Sequence, residues 1–230
     1  MNFFYLFVSF FYSLSAFSIG QHDVVEVMYA VAYKQGTNDV LYKEEHQMTY
    51  REGKIFKSKT LYKDSYNSII ASMISDYSRS VMLPSCVFKD FKAKKSEGLI
   101  FRNGKYFIFS EEEKGKRKEK LLEKTKEIFS CQGWHYYLVN RLDEIGEEGL
   151  EFNLIFPSQL DYYAFDLKKE GGSENLLSLS LQFSNWFIRI FAPRLDLVYD
   201  TQKKKLVSYQ GPSNLMDAEG EVQYVKVIYQ

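Results

Sequence analysis

Hydrophobic and polar positions alternate with a period of two through most of this chain. Between 25 and 33, Val25, Val27, Tyr29, Val31 and Tyr33 fall on one side and Glu26, Met28, Ala30 and Ala32 on the other, as in a strand with one bulky and one small face. After a turn at 36–39, the run 40–51 places Val40, Tyr42, Glu44, His46, Met48 and Tyr50 together, opposite Leu41, Lys43, Glu45, Gln47, Thr49 and Arg51. One of those faces is wet. Glu52-Gly53 then reverses the chain into 54–63, where Phe56, Thr60 and Tyr62 oppose Lys57, Lys59 and Lys63. Weaker strands follow at 68–77 and 86–92, separated by Pro84. The runs 99–102 and 105–110 flank Asn103-Gly104, a dipeptide that tolerates the two positive φ angles of a type I′ turn, and predict a hairpin.

The stretch 111–127 mixes both charge signs around Leu121 and Leu122, as in a solvated hairpin extension or an exposed helix. The period then changes. Trp134, Tyr137, Leu138, Leu142 and Ile145 fall at helical spacing, with Ser130 positioned to cap and Gly146 to terminate, so a helix is expected over 130–146. Strand patterns return at 150–156, 160–167 and 176–183. A dense apolar block at 186–191, stopped by Pro193, predicts one or two helical turns, and strands at 195–199, 205–209 and 222–229 close the chain. The sum is a mainly β fold: a single strongly curved antiparallel sheet, half-barrel or open barrel, with one central α-helix packed across it. A curled sheet must fill its concave face. Tyr42, His46, Met48, Tyr50, Phe56 and Tyr62 on the strands, with Trp134 on the helix, are the candidate ligand-contacting residues.

Composition sharpens this picture. A chain of 230 residues with 18 Tyr, 19 Phe and only 4 Pro suits one β-rich domain, expected over 21–230. Lys+Arg and Asp+Glu both total 30, so there is no basic excess to displace counterions from a nucleic acid, and no such partner is expected. Residues 1–20 carry no charged side chain; they form an apolar run ending in Ser18-Ile19-Gly20, the shape of a signal peptide cut before Gln21 or two residues earlier. An uncleaved anchor is the alternative, because the leader lacks Lys and Arg. An exported protein, periplasmic or of the cell envelope, can keep a disulfide, and Cys86 and Cys131 are the one available pair.

Catalytic patterns are missing from the sequence. No nucleophile elbow, phosphate-binding loop or dinucleotide fingerprint occurs, and His22, His46 and His135 have no metal-ligand spacing, so neither cofactor, metal nor catalytic residue is expected. Cys131 and His135 stand four apart, as a thiolate pair on one helix face would, unless Cys131 is bridged. An exported hydrolase stays open as a further alternative. Trp186, Phe187 and Phe191 form either a buried cover for the sheet or a tip that touches a membrane.

Two sets of positions resemble a known group. Tyr199-Asp200, Leu206, Tyr209, Gly211, Ser213-Asn214, Val225, Val227 and Tyr229, together with Tyr33, Gly36, Leu41-Tyr42, Tyr50, Gly53 and Thr60 to Tyr62, resemble uncharacterised periplasmic half-barrel β-proteins near the lipoprotein-carrier fold. The resemblance implies a bent sheet with a helix in or over its mouth and an apolar cavity for acyl chains. It transfers no functional residue. The expected function is a non-catalytic envelope protein that binds an apolar or lipid-like ligand; the alternative is a fully packed module that contacts an envelope protein.

Overall fold

The computed structural model describes residues 23–112, 115–123, 127–192 and 194–230. The expected leader and His22 lie outside them. Eight strands open the fold as one antiparallel meander: β1 (Val24–Lys34), β2 (Val40–Arg51), β3 (Lys54–Lys63), β4 (Ile69–Asp76), β5 (Ser85–Asp90), β6 (Lys95–Arg102), β7 (Lys105–Glu112) and β8 (Lys116–Leu121). The two-residue β9 (Ile128–Phe129) pairs in parallel with β10 (Leu150–Phe156), which begins a second meander. That meander continues through β11 (Asp161–Ser173), β12 (Leu176–Phe183), β13 (Leu195–Asp200), β14 (Lys205–Met216) and β15 (Val222–Tyr229). Because β1 also pairs with β15, from Ala30 opposite Tyr229 to Lys34 opposite Val225, the two meanders fuse into one 15-stranded sheet with β8 and β9 at its ends.

Local chemistry explains the pieces. Asn103 and Gly104 adopt φ of 52° and 78°, the two left-handed positions of the expected β6–β7 turn. The charged stretch after 110 extends that hairpin as exposed β8, so the alternative of an exposed helix is set aside. In β1 the small face turns inward: Ala30 and Ala32 are buried, and Val25, Val27 and Tyr29 are exposed.

The two ends of the strand order meet. Laid flat, fifteen strands at ~4.8 Å spacing would hold the first and last about 65 Å apart. Instead, β6 and β7 lie against the short 3-10 turn Pro157–Gln159 between β10 and β11. Leu99 and Ile108 share a buried cluster with Leu122, Ile128 and Ile155, and Lys120 Nζ lies 3.1 Å from Asp161 Oδ1. Cys86 of β5 is bridged to Cys131, just beyond β9. The sheet therefore bends round on itself, and side chains and a disulfide, not a hydrogen-bonded ladder, hold its ends together.

The long central helix expected over 130–146 does not form. In its place stand the seven-residue α1 (Gly133–Val139) and a 3-10 turn, Leu142–Glu144. Ser130 does not cap: its hydroxyl donates to the Pro84 carbonyl at 2.8 Å, and Gln132 takes the N-cap position without a side-chain bond. Bridged Cys131 has a φ of 46°, outside the helical range, so no helix can run through it from Ser130. The helical spacing was still informative about burial. Leu138, Leu142 and Ile145 are buried with Phe165, Leu181 and Tyr199, and Trp134 and Tyr137 pack against the same cluster. Gly133 admits a close approach, since a Cβ there would stand 2.3 Å from the Met82 carbonyl oxygen. The other expected turn is present as α2 (Trp186–Phe191), capped by Asn185, whose Oδ1 accepts from the Phe187 amide at 2.9 Å.

Candidate functional site: an interior cavity

Inward-facing side chains do not fill the space the sheet encloses. A cavity of about 1480 Å³ is left, lined mostly by apolar groups. Pockets for drug-sized ligands run to about 300–1,000 Å³, so this one has room for a larger molecule. Met48, Tyr62 and Phe88 line it from the first meander, Phe165, Leu181 and Phe183 from the second, and Trp134, His135 and Tyr136 from α1.

Six of the seven candidate residues border this cavity: Tyr42, His46, Met48, Tyr50, Tyr62 and Trp134. Phe56 does not. A register shift at Thr49/Tyr50 pairs Thr49 with Lys57 but Tyr50 with Ile55, which leaves Phe56 as the extra residue of a bulge. Ile55 then turns inward in its place, and the Phe56 ring instead carries the Arg51 guanidinium 3.6 Å from its centroid. Phe165, Leu181 and Phe183 were visible in the sequence only as strand residues. Which face of β11 and β12 points inward depends on how the two meanders join, and no local pattern reports that.

A chain of polar groups crosses the wall. Gln132 Nε2 donates to Thr60 Oγ1 at 3.4 Å, Thr60 Oγ1 is 3.0 Å from His46 Nδ1, and His46 Nε2 is 2.7 Å from Glu44 Oε2. Gln132 Oε1 accepts from Ser58 at 3.1 Å and from Tyr77 at 3.5 Å. These bonds fasten the start of α1 to β2 and β3. His135 reaches the other meander: its ring stacks on Tyr199, and its Nδ1 is 3.1 Å from the Tyr199 hydroxyl. The partly buried His135 ring borders the cavity, and desolvation together with the nearby His46 pushes its pKa down to about 4. Burial likewise pushes the Tyr199 phenol far up.

The order carboxylate, imidazole, hydroxyl in Glu44, His46 and Thr60 is that of an activated nucleophile. Thr60, however, is only 1% exposed and does not border the cavity, so a bound molecule has no path to its oxygen. The pair that the sequence does suggest, Cys131 with His135, has no thiol, because that sulfur is bridged. Asp161 and Asp166 are likewise engaged, with Lys120 and Arg189 respectively.

In an antiparallel meander alternate turns share an end. The β1–β2, β3–β4, β5–β6, β10–β11, β12–β13 and β14–β15 connections all lie at one end of the sheet, beside cavity-lining Pro157, Leu195 and Val222. Large exposed apolar side chains collect there: Tyr66 at 88%, Trp186 at 62% and Phe187 at 61%, with Phe91 and Met216 on neighbouring turns. Arg189 anchors α2 at this rim, its guanidinium 2.9 Å from Asp166 Oδ2 and bonded to the Phe183 carbonyl. The Phe191 side chain lies outside what the structure describes.

Neither a protein-family profile nor a curated protein matches the sequence. Among solved structures, the chain is similar to a β-barrel-like protein of a domain of unknown function, DUF1849, from Brucella abortus. The match has a TM-score of 0.41 and 9% identity, and covers 90% of this chain and 96% of that one.

Proposed function

We propose that this chain is a non-catalytic protein of the cell envelope that takes an apolar or lipid-like ligand into the space its sheet encloses. The observation that carries this reading is the cavity of about 1480 Å³, lined mostly by apolar groups from both meanders. A fully packed interaction module, the other reading open to the sequence, has no use for such a volume, since protein interiors close to crystal-like density when nothing is to be held. The bridge between Cys86 and Cys131 is compatible with export, because disulfides persist in oxidising compartments. Trp186 and Phe187, presented at the rim on an anchored turn, supply a tip that enters the headgroup layer and lets a ligand pass without crossing water.

One transfer experiment tests this reading. The protein is mixed with vesicles carrying a self-quenched fluorescent acyl lipid, and dequenching reports uptake. Wild type is expected to withdraw the lipid in proportion to protein concentration, and the Trp186→Ser/Phe187→Ser variant several-fold more slowly. Absence of uptake by folded wild type contradicts the ligand reading, and equal rates for the two proteins contradict the role of the tip.

A further inference from the structure

Two hydrogen-bond donors border the cavity without a partner among the described residues. The first is on α1. His135 Nδ1 is 3.1 Å from the hydroxyl of Tyr199, which is 0% exposed and has that nitrogen as its one hydrogen-bond partner among the described residues. Burial keeps the Tyr199 phenol protonated, so its O–H donates to Nδ1. With a pKa pushed down to about 4 the imidazole is uncharged at neutral pH, and its single proton then sits on Nε2. The second donor is the Tyr229 hydroxyl on β15, whose phenol burial likewise holds protonated. His135 Nε2 and the Tyr229 oxygen meet open cavity space rather than packed protein. His46 ties the two together: its ring centroid is 5.7 Å from that of Tyr229, and it is near enough to His135 to help depress that pKa.

The neighbouring tyrosines set Tyr229 apart. Tyr42 bonds Ser213 Oγ at 2.8 Å, Tyr209 donates to the Pro212 carbonyl at 2.6 Å, and Tyr62 bonds Asn214, all on β14. Of these four cavity-lining phenols, Tyr229 is the one left open. A pure hydrocarbon filling the space would strip water from both donors and give no bond in return. A ligand that carries an acceptor avoids that cost. A carbonyl oxygen has two lone pairs and no charge, which suits two donors that are themselves uncharged, whereas a carboxylate would be buried against dipoles alone.

Resting on the ligand reading above, we infer that the cavity takes apolar molecules bearing an uncharged carbonyl group, an ester or a ketone, whose oxygen accepts from His135 Nε2–H and the Tyr229 hydroxyl.

Displacement of the fluorescent dye N-phenyl-1-naphthylamine from the intact protein decides the matter with three probes of equal chain length: 2-undecanone, undecane and undecanoate. Tyr229→Phe is expected to weaken 2-undecanone about fivefold and to leave undecane unchanged, because only the ketone loses a bond. The double variant His135→Phe/Tyr199→Phe, which removes both members of the buried pair and so orphans neither, should act in the same direction. Undecanoate should bind more weakly to wild type than the ketone does. In the infrared, the carbonyl band of bound, carbon-13-labelled 2-undecanone should lie below its position in hexane and move back towards it in Tyr229→Phe. A band at the hexane position, ketone affinity unchanged by either variant, or undecanoate binding tighter than the ketone overturns the inference and leaves the ligand reading standing. Failure of all three probes to displace the dye, or of the dye to bind, overturns the ligand reading itself. Should the variants not fold, the wild-type band position decides alone.

Discussion

Replacing both Cys86 and Cys131 by serine is expected to lower the thermal unfolding midpoint by about 8–16 °C. The bridge spans 45 positions in sequence and joins β5 to the segment entering α1, two places that no strand ladder connects. Closing a loop of that length removes chain entropy from the unfolded state equivalent to about 4 kcal/mol, and in a domain of this size each kcal/mol moves the midpoint by about 2–4 °C. Melting curves with and without a thiol reductant check it. Wild type should drop on reduction to the midpoint of the double variant, and the double variant should ignore the reductant. Coincident midpoints for all four samples would mean that apolar packing around Leu99, Ile108 and Ile155 suffices to hold the ends of the sheet together.

The second large effect is an acid limb in stability set by His135. Its folded pKa is pushed down to about 4 from an ordinary 6.5, so above pH 6.5 it is neutral in both folded and unfolded chains and contributes no pH dependence. As pH falls from 6.5 to 4, the unfolded chain takes up a proton that the folded chain refuses, and stability falls by about 3 kcal/mol in total. Below about 4 both forms are protonated and this contribution levels off. Urea unfolding at pH 7.5, 5.5 and 4 for wild type and His135→Gln separates it from the carboxylates, which titrate in both proteins. The gap between the two proteins should shrink as the pH falls. A gap independent of pH would show that His135 is free to ionise where it stands.

How far the sequence could be read follows from the range of each interaction. Strand periodicity is local, so the inward row Tyr42, Glu44, His46, Met48 and Tyr50 on β2 was legible. So was the turn at Asn103-Gly104, because two adjacent positive φ angles suit few dipeptides. Phe56 was misread because a bulge resets the inward face by one residue, and nothing in Lys54 to Lys59 announces it. The helix was overextended because apolar spacing marks burial, which Leu142 and Ile145 do obey, but is blind to the left-handed backbone that the bridged Cys131 adopts. Pairing of β1 with β15 joins residues about 200 positions apart in sequence, and it decides which side of the second meander faces the cavity. Glu44 looked in sequence like one more strand carboxylate; only the ladder shows it in a row with Tyr62 and Asp90.

The account stands on the enclosed space being a binding site, and one fluorescence titration addresses it directly. The chain has 2 tryptophans: Trp134 borders the cavity and Trp186 lies exposed at the rim, so Trp186→Phe leaves a single reporter inside. Titrated with an alkyl amphiphile brominated near its chain end, this variant should show saturable quenching of Trp134, while the unbrominated analogue competes and does not quench. Emission that stays unchanged up to the micelle concentration of the brominated probe would contradict an occupied interior.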